Sequence, residues 1–227
     1  MRITPEIGDV SIVLIGNFNP VIFRPEWFEN HAILSNKDTE QTNLIILHKE
    51  ISDFHNEWLR LQVQTNRFYA ETSEYPYVRL FDFVVKTFKD YLSHTPISQI
   101  GINRRVHFSV ENNANRDRIG KVLAPREPWG KWGALIDAGE GEEHGGMKSL
   151  TMAIKKLDDR EKGIINITVE PSPLVKVGIY VNINDHYELS NPDEHIGSDK
   201  IIDLLINRYD ESLKRSEEII DQIMELV

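Results

Sequence analysis

Read from Asp9 onward, the chain passes twice through one order of elements: a strand, a short helix, three or four strands, and a longer amphipathic helix. An order met twice is the strongest constraint on the fold, because each half must bury the same kinds of apolar face in the same sequence. The first pass runs from about Asp9 to Ser93 and the second from about Ile97 to the C-terminus. The joint near Thr95-Pro96 divides the chain into halves 1–95 and 96–227.

The first pass opens on Val10-Ser11-Ile12-Val13-Leu14-Ile15, a short β-branched run that predicts a buried strand. Arg24-Pro25-Glu26-Trp27-Phe28 sets proline in a first helical turn. Strands are expected near Ala32–Leu34, Asn43–Glu50 and Trp58–Thr72, the last with a break at Thr65-Asn66. From Pro76 to about Ser93, Leu80, Phe81, Val84, Val85, Phe88, Tyr91 and Leu92 recur at helical spacing.

The second pass opens on the alternating strand Ile100, Ile102, Val106, Phe108, Val110, with Arg104 as its one irregular member. Asn112–Leu123 reads as a polar helix, and Pro125–Gly133 as a loop holding Trp129 and Trp132. A short strand at Ala134–Ile136 leads into the acidic, glycine-rich stretch 137–146. Strands follow at Lys148–Lys156, Ile164–Glu170 and Val175–Asp185, and Ser198 is placed to cap the final helix.

Strand, helix, antiparallel strands and helix, taken twice, resemble the TATA-box-binding-protein-like fold. There two such units pair edge to edge into a saddle with helices on its convex side. The stretch from Trp58-Leu59-Arg60-Leu61-Gln62 through Arg67-Phe68, the helix Tyr77–Tyr91 and the strand Ile100-Gly101-Ile102-Asn103-Arg104-Arg105 also resemble a sporadically distributed bacterial family of about this length. That family has no established function. The resemblance covers about the middle quarter, implies no catalytic residues, and would suit an accessory role such as phage defence. The fold class expected is therefore α+β, with two pseudo-repeated halves in one curved antiparallel sheet and helices on one face.

Strand alternation then sorts side chains by face. Leu59, Leu61, Val63, Ile102, Val106, Phe108, Ile179, Val181 and Ile183 are expected under the helices. The other face carries Trp58, Arg60, Gln62, Gln64, Asn103, Arg105, His107, Asn166, Thr168, Lys176, Tyr180, Asn182 and Asn184, a set rich in amides and poor in acids. Amides and arginine offer directional hydrogen bonds, and Trp and Tyr offer contact area, so this is the candidate recognition face. Polar residues are also what any solvent-facing sheet presents. Trp129 and Trp132, beside Arg126 and Lys131, suit base stacking, although tryptophans in a Pro/Gly loop ordinarily anchor it to the core.

In the last helix Ile202, Ile206, Tyr209, Leu213, Ser216, Ile220, Ile223 and Val227 alternate steps of four and three, a heptad seam broken at Ser216. Its length, about 45 Å, exceeds what a sheet of this size needs. Leu213, Ile220, Ile223 and Val227 are accordingly candidates for packing on another chain, against the alternative of a long core helix.

The net charge is −10, which opposes non-specific binding to nucleic acid or anionic membranes. No cysteine is present, so disulfides, thiolate metal sites and cysteine nucleophiles are excluded. The apolar run Val10–Ile15 is too short for a membrane span or a signal h-region, which points to a cytoplasmic protein without a membrane partner. No phosphate loop, nucleophile elbow or H-E-x-x-H helix occurs. Asp137, Glu140, Glu142, Glu143 and His144 could face a cation, but they lack the ligand spacing of a calcium loop, and the other histidines form no ligand pair. No metal or cofactor is expected.

The reading reached is a non-enzymatic recognition or assembly subunit that binds itself or a protein partner. A nucleic-acid-binding module of a defence or toxin–antitoxin system is the first alternative. A metal-dependent hydrolase or nuclease with an unconventional site is the second.

Overall fold

In the computed structural model the described residues are 4–138, 145–191 and 196–226. The chain is α+β: one curved, open, antiparallel sheet of nine strands, with six α-helices among the described residues. In chain order the first half contains β1 (Ile7–Gly16), α1 (Pro25–Asn30), α2 (Asn36–Glu40), β2 (Asn43–His48), β3 (Ile51–His55), β4 (Arg60–Gln64), β5 (Arg67–Thr72) and α3 (Val78–Val85), which a π-helical segment extends over Lys86–Tyr91. The second half contains β6 (Ile97–Ser109), α4 (Asn113–Leu123), α5 (Lys131–Asp137), β7 (Leu150–Ile154), β8 (Lys162–Pro171), β9 (Gly178–Glu188) and α6 (Asp199–Met224).

The strand order is β2-β3-β4-β5-β1-β6-β9-β8-β7. The opening strands of the two halves, β1 and β6, therefore meet at the centre, with Ile12 opposite Ile102 and Ser11 opposite Asn103. From each of them the sheet runs outward through strands taken in reverse order. Pairing is antiparallel throughout.

Period-two alternation sends Val10, Ile12, Leu14, Leu61, Val63, Phe68, Ile100 and Ile102 into a first apolar cluster with α1, α3 and the first half of α6. Val106, Phe108, Ile165, Val169, Ile179, Val181 and Ile183 form a second cluster with Ile119 of α4 and the far end of α6. Between the clusters the helix side turns polar. Arg104 is 2% exposed there, donates to the carbonyls of Asp9 and Arg105 at 3.0 and 3.2 Å, and lies 5.0 Å from the Tyr77 ring centre. Gly8 makes room for it, since a Cβ there would stand 2.9 Å from the guanidinium. Close by, Asp159, Arg160, Asp185 and Arg215 form an ion-pair network at 2.5–3.0 Å, with Arg160 stacked 3.6 Å from the Tyr187 ring centre.

Several expectations are corrected. Ala32–Leu34 is a turn with Ala32 at φ 51°, and Ser35 and Asp38 then cap α2 reciprocally, a Ser-x-x-Asp signal that sequence reading missed. The run Asn43–Glu50 stops at His48, and Ile51–His55 is a separate strand. Ala134–Ile136 lies in α5, which begins after Gly130 at φ 57°. Ser198 takes the N-cap position of α6 as expected but makes no side-chain cap; its hydroxyl donates to the carbonyl of Phe88 at 2.8 Å, tying α6 to the π-helical segment Lys86–Tyr91.

The seam on α6 is also corrected. Ile220 is fully buried and Ile223 is 9% exposed, both inside the second cluster, and Leu213 packs on the first. Ser216 interrupts the seam because it stands at the polar level between the clusters, where its hydroxyl donates to the Ser212 carbonyl at 2.8 Å. The length of α6, about 39 Å, serves to span both clusters of its own chain. Val227 lies outside the described residues, as do residues 139–144 and 192–195, which include Glu140, Glu142, Glu143, His144 and His195. No helix among the described residues is long and apolar enough to cross a membrane.

Candidate functional site

The face opposite the helices is built by strands alone across the middle of the sheet. β1 contributes Asp9, Ser11, Val13 and Ile15; β6 contributes Gln99, Gly101, Asn103, Arg105 and His107; β9 contributes Tyr180, Asn182, Asn184 and His186. β5 adds Arg67, Tyr69 and Glu71, and β4 adds Arg60 and Gln62. Two adjoining shallow depressions of about 440 and 640 Å³ open there, sharing Arg67, Tyr69, Arg105 and Tyr180.

Arg105 stands where the two depressions meet. Its Nε donates to Asp9 at 2.7 Å, and its terminal nitrogen donates to Glu71 at 2.6 Å and to the Tyr69 hydroxyl at 2.9 Å. Tyr69 in turn donates to Glu71, and the Arg67 guanidinium lies 5.0 Å from the Tyr69 ring centre. Burial pulls the Arg105 pKa down, but the two carboxylates outweigh it and hold the group above its ordinary value. Burial pushes Asp9 above the usual carboxylate range in spite of Arg105.

Next to this network His107 stacks on Tyr180 with ring centres 4.6 Å apart. Its Nδ1 is 2.8 Å from the hydroxyl of Ser172. That oxygen already accepts from the backbone N–H groups of Leu174 and Val175, so its single hydrogen goes to Nδ1 and the imidazole proton sits on Nε2. Burial first, and the Arg105 charge second, hold the His107 pKa below its ordinary value. Further along the sheet Asn184 donates to Asn103, which donates to the hydroxyl of Ser11 at 3.2 Å. The amide oxygen of Asn182 is buried without a hydrogen-bond partner.

Of the residues expected on this face, Arg60, Gln62, Asn103, Arg105, His107 and Tyr180 stand there. Trp58 does not. β4 begins at Arg60, and Trp58 lies in a turn where the Asn56 side chain accepts from the N–H groups of Trp58 and Leu59. The indole is 4% exposed, donates to Asp38 at 3.1 Å and carries Arg79 over its ring at 3.9 Å. Lys176 lies in the connection before β9, which starts at Gly178, and so falls outside the alternation. The face is also not poor in acids. Asp9 and Glu71 line it with Glu170, and Asp53 accepts from Gln62 at 2.7 Å. Glu71 was legible as the alternate partner of Tyr69 once the strand break at Thr65-Asn66 fixed the register.

Trp129 and Trp132 lie apart from this face and do not anchor their loop. They are 63% and 62% exposed, Val122 of α4 and Leu135 of α5 are exposed at 55% and 62%, and the Lys131 ammonium lies 5.3 Å from the Trp132 ring centre. Gly133 fixes the local geometry, because a Cβ there would meet the Arg126 carbonyl at 2.2 Å.

Among the described residues no group of three or more His, Asp or Glu side chains gathers as metal ligands. No protein-family model matches the chain, and no curated protein matches it.

Proposed function

We propose that this chain is a non-enzymatic recognition module and that the strand face around Arg105, Tyr180 and Asn182 is where it binds a protein segment. One observation carries this reading: no helix among the described residues covers the middle of the sheet, yet its side chains are ordered by a network rather than scattered in solvent. The Asn182 amide oxygen is buried without a hydrogen-bond partner among the described residues, so rotation of that side chain toward a bound peptide N–H would relieve an unpaired acceptor. Amide groups suit peptide N–H and C=O partners. Phosphate fits the face poorly, because the central cation is already paired with two carboxylates and Glu170 stands nearby.

We further propose that the halves 1–95 and 96–227 are pseudo-repeats of one unit, as in TATA-box-binding-protein-like folds. The central β1–β6 pair and the matching outward runs β5-β4-β3-β2 and β9-β8-β7 support this. So does the placement of α3 after β5 and of α6 after β9, the innermost strand of each run.

Selection of a random displayed peptide library on the immobilised chain tests the recognition reading. Selected peptides should lose at least about tenfold in affinity, about 1.4 kcal/mol, against Tyr180→Ala with Asn182→Ala. Equal binding to that variant would overturn it.

The exposure of Trp129 and Trp132 favours a second reading, a single-stranded nucleic-acid contact on the α4–α5 lobe. Over residues 112–136 Arg116, Arg118, Lys121, Arg126 and Lys131 stand against Asp117 and Glu127. Exposed indoles among cations are the composition of a base-stacking surface. The acids that follow from Asp137 and the net charge of −10 make it the weaker of the two.

A further inference from the structure

The most conspicuous surface away from the open face is the edge strand β2. Among the described residues it pairs with β3 alone, so its outer side presents backbone N–H and C=O groups with no strand beside them. All six of its residues are exposed, and its centre is four consecutive large apolar side chains: Leu44 at 43%, Ile45 at 55%, Ile46 at 43% and Leu47 at 38%. Edge strands that must stay single carry charges, proline or bulges that twist the edge away. From Gln41 to His48 this chain has no charge and no proline, and its one irregularity is the register shift against β3 between Leu44 and Ile46.

We propose that β2 pairs antiparallel with β2 of a second copy of this chain, about a twofold axis at the Ile45–Ile46 bond, joining the two sheets into one. The strand is self-complementary in that arrangement. Leu44 stands opposite Leu47 of the other copy, and Asn43 opposite its His48.

In a regular strand residues three apart face opposite sides. Here the register shift between Leu44 and Ile46 changes that: Leu44 lies opposite Phe54 and Leu47 opposite Ser52. Phe54 is in the core, and Ser52 donates to the Phe23 carbonyl, so both point to the helix side. Leu44 and Leu47 therefore share that side, and the twofold sets them together across the seam. Val21, 43% exposed, stands in the Pro20–Ile22 turn that lies against β2 on the same side.

The opposite edge argues for the same choice. β7 exposes Met152 at 59% and Ile154 at 38%, but Lys148 precedes it and Lys155 and Lys156 follow it. Self-pairing of β7 would bring those cations together. Pairing of β2 with β7 is head-to-tail and would give rings or open filaments rather than a dimer.

This inference does not rest on the open-face reading, and either can fail alone. Sedimentation velocity of the full chain tests it. The mass should be twice 26.3 kDa, with no larger species as concentration rises. Each copy carries a net charge of −10, so raising salt from about 50 mM to about 500 mM should tighten the dimer by screening that repulsion. Ile46→Lys should give the single-chain mass with an unchanged circular dichroism spectrum, while Trp129→Ala leaves the dimer intact. A single-chain mass for the unaltered protein, a dimer that persists in Ile46→Lys, or growth beyond two copies that Met152→Lys also abolishes would each overturn the proposal. Should Ile46→Lys misfold, amide exchange decides. Residues 43–48 of the unaltered chain must exchange more slowly as concentration rises, and concentration-independent exchange there overturns the proposal.

Discussion

Arg215 on α6 donates to Asp185 on β9 at 3.0 Å, at the level where the two apolar clusters of the molecule meet. Asp185 is 1% exposed and also accepts from Arg160. Arg215→Ala removes one of the two cations that compensate this carboxylate, and should cost about 3 kcal/mol of unfolding free energy in urea. Lys214→Ala, one residue away on a fully solvated side chain, should change stability by less than about 0.5 kcal/mol. Equal effects would show that the network does not hold α6 to the sheet.

Asp159 gives the network a pH signature. Burial pushes its pKa up, but hydrogen bonds from Arg160 and Arg215 outweigh that and hold the carboxyl far below the ordinary value of 3.8. The unfolded chain thus binds this proton more readily, so the contribution is full above 3.8 and is lost as pH falls below it. Urea unfolding between neutral pH and the acid range should show this loss, and Asp159→Asn should flatten it. An unchanged acid slope in the variant would contradict the assignment.

His107 should titrate below 6.5 in the folded chain, since burial and then Arg105 both disfavour the imidazolium. Its stabilising contribution is present above 6.5 and declines as pH falls through the window below it. Arg105→Gln removes one of the two causes and leaves Asp9 and Glu71 without their cation, so it should raise the midpoint. Ring proton shifts followed by NMR measure both. A midpoint at or above 6.5 in the unaltered chain would contradict the packing described for this residue.

The α4–α5 lobe carries its own prediction. Labelled single-stranded oligonucleotides, one of DNA and one of RNA, should bind with affinity that falls as salt rises. Trp129→Ala with Trp132→Ala should cost about 1–3 kcal/mol per stacked base. Salt-dependent binding that survives this double substitution would place any nucleic-acid contact elsewhere.

Much of the sheet was legible because strand alternation is a local signal. Arg105 and His107 were assigned to the open face, and Val106 and Phe108 to the core, from spacing alone, and the strands place them so. The signal fails where a strand ends. Trp58 continues the alternation of Leu59 and Arg60 on paper, but the Asn56 turn takes it out of β4 and into the core. Lys176 fails in the same way before Gly178. Long-range partners were not legible. Nothing local tells that Asp9 and Glu71, far apart in the chain, converge on Arg105, or that the α6 seam would find its apolar partners on its own sheet. The exposed tryptophans ran against the usual anchoring of such loops, and only the placement of α5 reveals it.

Amide chemical-shift mapping with a selected peptide tests the proposed recognition face most directly. The account predicts that the perturbed amides cluster on β1, β6 and β9, around Ser11, Asn103, Arg105, Tyr180 and Asn182, and that substitution of Tyr180 and Asn182 abolishes the shifts. Perturbations confined to the helix side, or to the α4–α5 lobe, would contradict it.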